Sequence, residues 1–277
     1  MGVKRVVKAL CAEIGLGKVN TVVVHDVPAT SMKGRAALIT GGTSGIGLAI
    51  AKRFSAAGCT VVLVGTDAEK GARAAKDLKN EPGGSHFVRA DVSSTQSAAQ
   101  AFCCAIEKLG RVPDILVNSA GRNGVTHFPN VQEDEFDTIV GVNLKGALLM
   151  SQEAARRWIA EGTKGNILNV SSVSSFRPAT GSYEMSKWGL RGLTLGMASD
   201  LVKYGIVVNA IAPGPTATSM QGKEVSSLRL GWNPSGRMAD PREIAELAEM
   251  LVSDSGRLIV GDTLCASGGG GVVSLHR

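Results

Sequence analysis

Residues 40–47 read TGGTSGIG and follow at once on the apolar run AALI at 36–39. A strand that ends in such a turn and opens into a helix decides the fold. The backbone N–H groups at a helix start have no partner within the helix, and the helix dipole favours an anion there. Gly41, Gly45 and Gly47 permit a tight turn and a close approach of a phosphate or a neighbouring strand. Taken alone, the spacing also describes a plain structural turn. It is not the GxGxxG spacing of many dinucleotide sites, and no Gly-Lys-Ser/Thr follows to make a P-loop.

Outward from this turn the chain alternates between strand and helix patterns. Short apolar runs at 36–40, 60–64, 86–90, 114–121, 166–172, 205–214 and 257–266 read as strands. Amphipathic stretches at 45–58, 67–79, 95–110, 133–162, 182–205 and 241–254 read as helices. This alternation implies an α/β fold, a doubly wound parallel sheet of about seven strands with helices on both faces. The 277 residues, 44% hydrophobic, suit one domain over 35–277. Residues 1–34 stand outside the alternation. VVKALCAEIGL has helical spacing and VNTVVV looks like a short strand, so an N-terminal extension packed on the domain or on a neighbouring subunit is expected. The polar, glycine-rich stretch near 216–238 is expected to be a loop that closes over substrate.

Composition excludes several classes. The net charge is +6, but lysines and arginines are scattered without aromatic interleaving, so no nucleic-acid footprint is expected. No apolar stretch reaches the roughly 18 residues of a membrane span. The five cysteines are odd in number and form no CxxC pair, and no histidine has metal-ligand spacing. Unpaired thiols in a reducing cytoplasm and no metal are the expectation. The basic start runs into Glu13 without a small-residue cleavage site, which argues against a secretory signal.

Tyr183 and Lys187 lie four residues apart on an expected helix and share a face. An ammonium beside a phenol favours the phenolate and lowers its pKa, making Tyr183 a candidate acid/base. On its own, the pair more often marks a packed tyrosine and a surface lysine. Ser171 and Ser172 end a strand, where open parallel sheets bind ligands. Asn143 sits mid-helix, a poor place for Asn unless it has a polar task.

The ordered set TGGTSGIG, Asp91-Val92, NSAG at 118–121, VNLKG around Asn143, Ser172, YEMSK at 183–187 and PGPTAT from Pro213 resembles the short-chain dehydrogenase/reductase family over roughly residues 33–270. The resemblance implies a single-domain Rossmann-like fold and hydride transfer between NAD or NADP and a secondary alcohol or ketone. It implies Tyr183 as acid/base and Lys187 as its partner on the nicotinamide ribose. Ser172 would hold the substrate oxygen, with Ser171 as its rival, and Asn143 would hold a relay water. Gly41, Thr43, Ser44 and Ile46 would line the pyrophosphate and adenosine ribose, and Asp91 and Val92 the adenine. Asn118, Ala120 and Gly121 would face the adenosine side, with Pro213, Gly214, Thr216 and Thr218 near the nicotinamide.

Gly65 stands where NAD-type members carry an acid, and Thr66 and Ser44 stand where NADP-type members carry a base. The missing acid favours NADP over NAD. A 3-oxoacyl thioester and a sugar or general alcohol are both open as substrates. The first predicts a basic patch from Arg177, Arg229 and Arg237. A homotetramer is the family's common assembly. The alternative, a non-catalytic dinucleotide sensor or scaffold, predicts a damaged acid/base set, which this chain does not have.

Overall fold

Strands with near-continuous apolar sequences need cover on both faces, and the intervening helices supply it. In chain order the elements are β1 (Ala36–Thr40), α1 (Gly45–Ala56), β2 (Thr60–Gly65), α2 (Ala68–Asp77), β3 (Ser85–Arg89), α3 (Thr95–Leu109) and β4 (Ile115–Asn118). There follow α4 (Glu133–Val140), α5 (Gly146–Glu161), β5 (Asn166–Val170), α6 (Ser182–Leu201), β6 (Val207–Pro213), α7 (Pro241–Val252) and β7 (Thr263–Ala266). This is a computed structural model, and it describes residues 32–218 and 228–270. The expectations for the extension before Met32, and for residues 219–227 of the substrate loop, lie outside the described residues.

The seven strands form one all-parallel sheet in the order β3-β2-β1-β4-β5-β6-β7. The order reverses between β1 and β4, and this switch point opens a crevice beyond the strand carboxyl ends. Successive side chains of a strand point to opposite faces, and the core divides accordingly. Ile39, Leu63 and Val117 join Ile50 and Phe54 of α1 and Ile244 and Leu251 of α7 on one face. Leu38, Val62 and Leu116 join Phe102 of α3, Met150 and Trp158 of α5 and Ala198 of α6 on the other. At the opposite end of the sheet, Asp114 accepts the Ala36 N–H at 2.7 Å and pairs with Arg35 and Arg111.

Two expected elements differ. The long helix at 133–162 is interrupted by a π turn, Gly141–Lys145, between α4 and α5. A π turn absorbs one extra residue in the helical register and often marks a functional position; here it carries Asn143. The last strand is shorter than 257–266, because Asp254–Gly256 takes a 3₁₀ turn and Gly261 adopts φ of 79°. It pairs only from Thr263.

Phe54 is fully buried between α1 and the sheet. Phe54→Ala is expected to cost about 3–5 kcal/mol, read as a lower urea midpoint at unchanged m. A loss below about 1 kcal/mol would contradict this packing.

Candidate active site

The crevice is built by two turns pressed together. Gly41, at φ of 64°, lies against the turn after β4: a Cβ there would be 2.8 Å from Ala120 backbone atoms. A Cβ on Gly47 would lie 2.4 Å from the Gly41 carbonyl oxygen, so α1 starts as close to the turn as backbone can come. Thr40 ties the turns together. Its hydroxyl accepts from the Ser119 and Ala120 N–H groups at 3.1 and 3.2 Å and donates to the Val117 carbonyl at 3.4 Å. Ser44 is the N-cap of α1 but makes no side-chain cap bond, and the first turn carries no acid. The first amides of α1 therefore face the crevice without a side-chain acceptor, ready for an anion.

Two adjoining cavities share Gly41, Ser44 and Gly121. The larger, about 470 Å³, is lined by Thr43, Gly65, Thr66, Asp91, Val92 and Ala120 among the expected residues. Asp91 is folded onto Ser93, whose hydroxyl and N–H hold its carboxyl below the usual range. The smaller, about 140 Å³, is lined by Ile46, Ser171, Tyr183, Lys187 and Thr218. A roomier hollow of about 700 Å³ between α1 and α7 contains none of Asn143, Ser172, Tyr183 or Lys187, and is not the site.

Pro213, Gly214 and Thr216 line neither of the two adjoining cavities. Thr216 is buried and donates to the Gly214 carbonyl at 2.9 Å. Asn118 needs correction. Its side chain does not face the adenosine side but turns into the core, donating to Ser151 and Asn169. Asn169 in turn donates to Thr194, so a polar chain stitches β4 and β5 to α6. Four residues the motif reading missed also shape the crevice: Thr40, Lys70, Arg122 and Ser186. The sequence signal for Thr40 was a hydroxyl immediately before the glycine turn.

Tyr183 and Lys187 share a face of α6, with the Lys187 Nζ 5.7 Å from the Tyr183 ring centre. Burial pushes the Tyr183 hydroxyl above its ordinary range, a Ser172 hydrogen bond opposes the rise, and the Glu184 charge adds to it. The expected lowering by Lys187 is not realised, because the ammonium is turned onto the Val170 carbonyl at 2.8 Å. Burial also lowers the Lys187 pKa to about 8. Of the two serines, Ser172 bonds the tyrosine, while the Ser171 hydroxyl is buried without a partner.

Asn143 is buried in the π turn and acts as a clamp. Its Oδ1 accepts from the Arg122 N–H at 2.7 Å, and its Nδ2 donates to the Arg122 carbonyl and to Ser186 at 2.9 and 3.0 Å. Both ends of the amide thus have protein partners. Arg237, expected in a basic patch, is locked to Glu243 by two bonds of 2.7 Å.

The short chain dehydrogenase family model matches residues 35–228. The chain belongs to the short-chain dehydrogenase/reductase family. It is 34% identical to the 3-oxoacyl-[acyl-carrier-protein] reductase FabG of Aquifex aeolicus over 86% of this chain and 98% of that one. It is 33% identical to glucose 1-dehydrogenase 2 of Bacillus subtilis, over 86% and 95%. Among solved structures, the 3-ketoacyl-(acyl-carrier-protein) reductase of Brucella melitensis, complexed with NADH, superposes with a TM-score of 0.78 at 33% identity, covering 87% of this chain and all of that one.

This short-chain dehydrogenase/reductase is an NAD(P)-dependent oxidoreductase acting on CH–OH groups. The close glycine turn, the open amides of α1 and the adjoining cavities fit such a dinucleotide. Among the described residues no helix is long and apolar enough to cross a membrane.

The buried lysine has a consequence for stability. Its folded pKa of about 8 lies below the ordinary lysine value of 10.5, so between these pH values the unfolded chain holds the proton and the folded one does not. Stability therefore rises with pH across that window. Relative to Lys187→Met, the cofactor-free protein is expected to gain about 1–2 kcal/mol from pH 7.5 to 9.5 in urea unfolding. No gain, or a loss, would show that Lys187 is solvated.

Proposed function

We propose that the protein transfers hydride between NADP(H) and a ketone or secondary alcohol, with Tyr183 as the acid/base. The observation that carries this is that Tyr183, hydrogen-bonded by Ser172, and buried Lys187 line a cavity adjoining the α1 cradle. Bound nicotinamide supplies the hydride in reduction and takes it in oxidation. In reduction Tyr183 gives its proton to the carbonyl oxygen as negative charge develops there, and Ser172 donates a hydrogen bond to the same oxygen. Lys187, its ammonium on the Val170 carbonyl, would hold the nicotinamide ribose beside Tyr183. Asn143 is a positioning residue, since it ties the turn after β4 to Ser186, the neighbour of Lys187.

Gly41, Thr43, Ser44 and Ile46 would hold the pyrophosphate side, Asp91 and Val92 the adenine, and Thr218 the nicotinamide side. The gap left by an acid at Gly65 supports NADP over NAD. The names of the Aquifex and Brucella relatives support a 3-oxoacyl thioester as substrate. A sugar or polyol is the second reading. The Bacillus relative's name supports it, as does the ion pair that removes Arg237 from the expected acyl-carrier patch.

Self-association, as a tetramer, is part of the same proposal. α6 exposes Met185, Trp188 and Leu195, a stripe of large apolar side chains that a partner copy would cover. The free thiols of Cys59, Cys103, Cys104 and Cys265 suit a reducing cytoplasm.

Tyr183→Phe separates chemistry from binding. With a panel of 3-oxoacyl thioesters and sugars, turnover is expected to fall about 10²–10⁴-fold, while NADPH fluorescence titration is unchanged. Turnover equal to that of the wild type would contradict the role of Tyr183.

A further inference from the structure

The hollow of about 700 Å³ between α1 and α7 runs the length of α1, from Gly45 past Leu48, Ala49 and Arg53 to Ala56. These positions form one face of that helix. Leu48, Ala49 and Ala56 are left half-buried, and Leu78 and Ala245 complete an apolar floor. Three acids line the same hollow: Asp77 and Glu81 at the end of α2 and just beyond it, and Glu246 on α7. Among the described residues none of the three makes an ion pair. The Oε1 of Glu246 is buried without a hydrogen-bond partner, which costs free energy until a donor arrives. The two lining arginines are already taken, Arg242 by Asp240 at 2.8 Å and Arg53 by Glu249. An apolar trough with unpaired acids fits an amphipathic segment that has an apolar stripe and a basic flank.

The chain carries such a segment in its extension, outside the described residues. On a helix, Val3, Val6, Val7, Leu10 and Ile14 fall within about 100° of one another, with Lys4, Arg5 and Lys8 on the opposite side. Its one acid, Glu13, has a counterpart in Lys52, the one lysine of the hollow. Residues 3–14 as a helix would span about 18 Å, which matches the 12 residues of α1. The chain joins the domain where the hollow ends. Met32 is buried and donates its N–H to the Ala57 carbonyl at 3.0 Å, next to Ala56. Residues 15–31 reach up to about 56 Å, ample to return along α1.

We infer that residues 3–14 dock as an amphipathic helix in the hollow between α1 and α7 of the same chain. The apolar stripe covers Leu48, Ala49 and Ala56, and the basic flank meets Asp77, Glu81 and Glu246. The entry of the chain beside Ala57 puts its own segment, rather than a second copy's, at the mouth of the hollow. The inference is independent of what the cleft binds.

The test places a photoreactive benzophenone side chain at Lys52, which is exposed and lines the hollow, in the full-length protein, with thermal melting as a check on folding. Illumination is expected to yield a product of single-chain mass on a denaturing gel, with the cross-linked peptide drawn from residues 1–18. A second arm is limited trypsin digestion of the native wild type, Leu10→Asp and Glu246→Lys. Cleavage after Arg5 and Lys8 is expected to be about 10-fold faster in both variants than in the wild type, because undocking exposes the segment.

A cross-link to residues 219–227 would give the hollow to the substrate loop and overturn the inference. A product of doubled mass would give it to a second copy and overturn it equally. Equal cleavage rates in the wild type and Leu10→Asp would show that the segment is not docked at all. Should the Lys52 variant not fold, the digestion decides alone.

Discussion

The contact on which this structure depends is the one between Gly47 at the start of α1 and the Gly41 carbonyl. No side chain fits between them, since a Cβ would sit 2.4 Å from that oxygen. The helix can therefore begin directly against the end of β1, and its open amides face the crevice where the strand order reverses. The Thr40 hydroxyl then draws the turn after β4 over the same place. Backbone, not side chains, forms the cradle, which suits a phosphate that must come close to peptide N–H groups.

The chemistry depends on a second constraint, the burial of a lysine. Lys187 loses solvent and rests its ammonium on a strand carbonyl. Its lowered pKa and the raised value for Tyr183 share one cause, desolvation. Around them runs a buried polar scaffold. Asn143 joins Arg122 to Ser186 through the π turn, and Asn118, Asn169 and Thr194 bind β4 and β5 to α6. These buried amides tie β4 and β5 to α6, the helix that carries Tyr183.

Much of this was legible in the sequence. Alternating apolar runs and amphipathic stretches gave the strands, the helices and the parallel sheet, because period 2 and period 3.6 are direct consequences of backbone geometry. The spacing of four put Tyr183 and Lys187 on one helix face, but their role was legible only through the resemblance carried by the ordered motifs. What escaped depends on which way a side chain turns. Asn118 and Asn143 look like ligand residues in a string, yet their amides are spent on the scaffold. Lys70 carries no motif, and only the folded turn of α2 brings it to the cavity. The π turn and the shortened β7 escaped because each is decided by local hydrogen bonding that periodicity does not encode.

The central claim is that the glycine turn and the Tyr183–Lys187 pair serve one dinucleotide. The most direct measurement is a crystal structure of the protein with NADPH. The account expects the pyrophosphate against the first amides of α1, and the nicotinamide ring beside Tyr183 and Ser172. A dinucleotide seated in the hollow between α1 and α7, or one with its nicotinamide turned away from Tyr183, would contradict it.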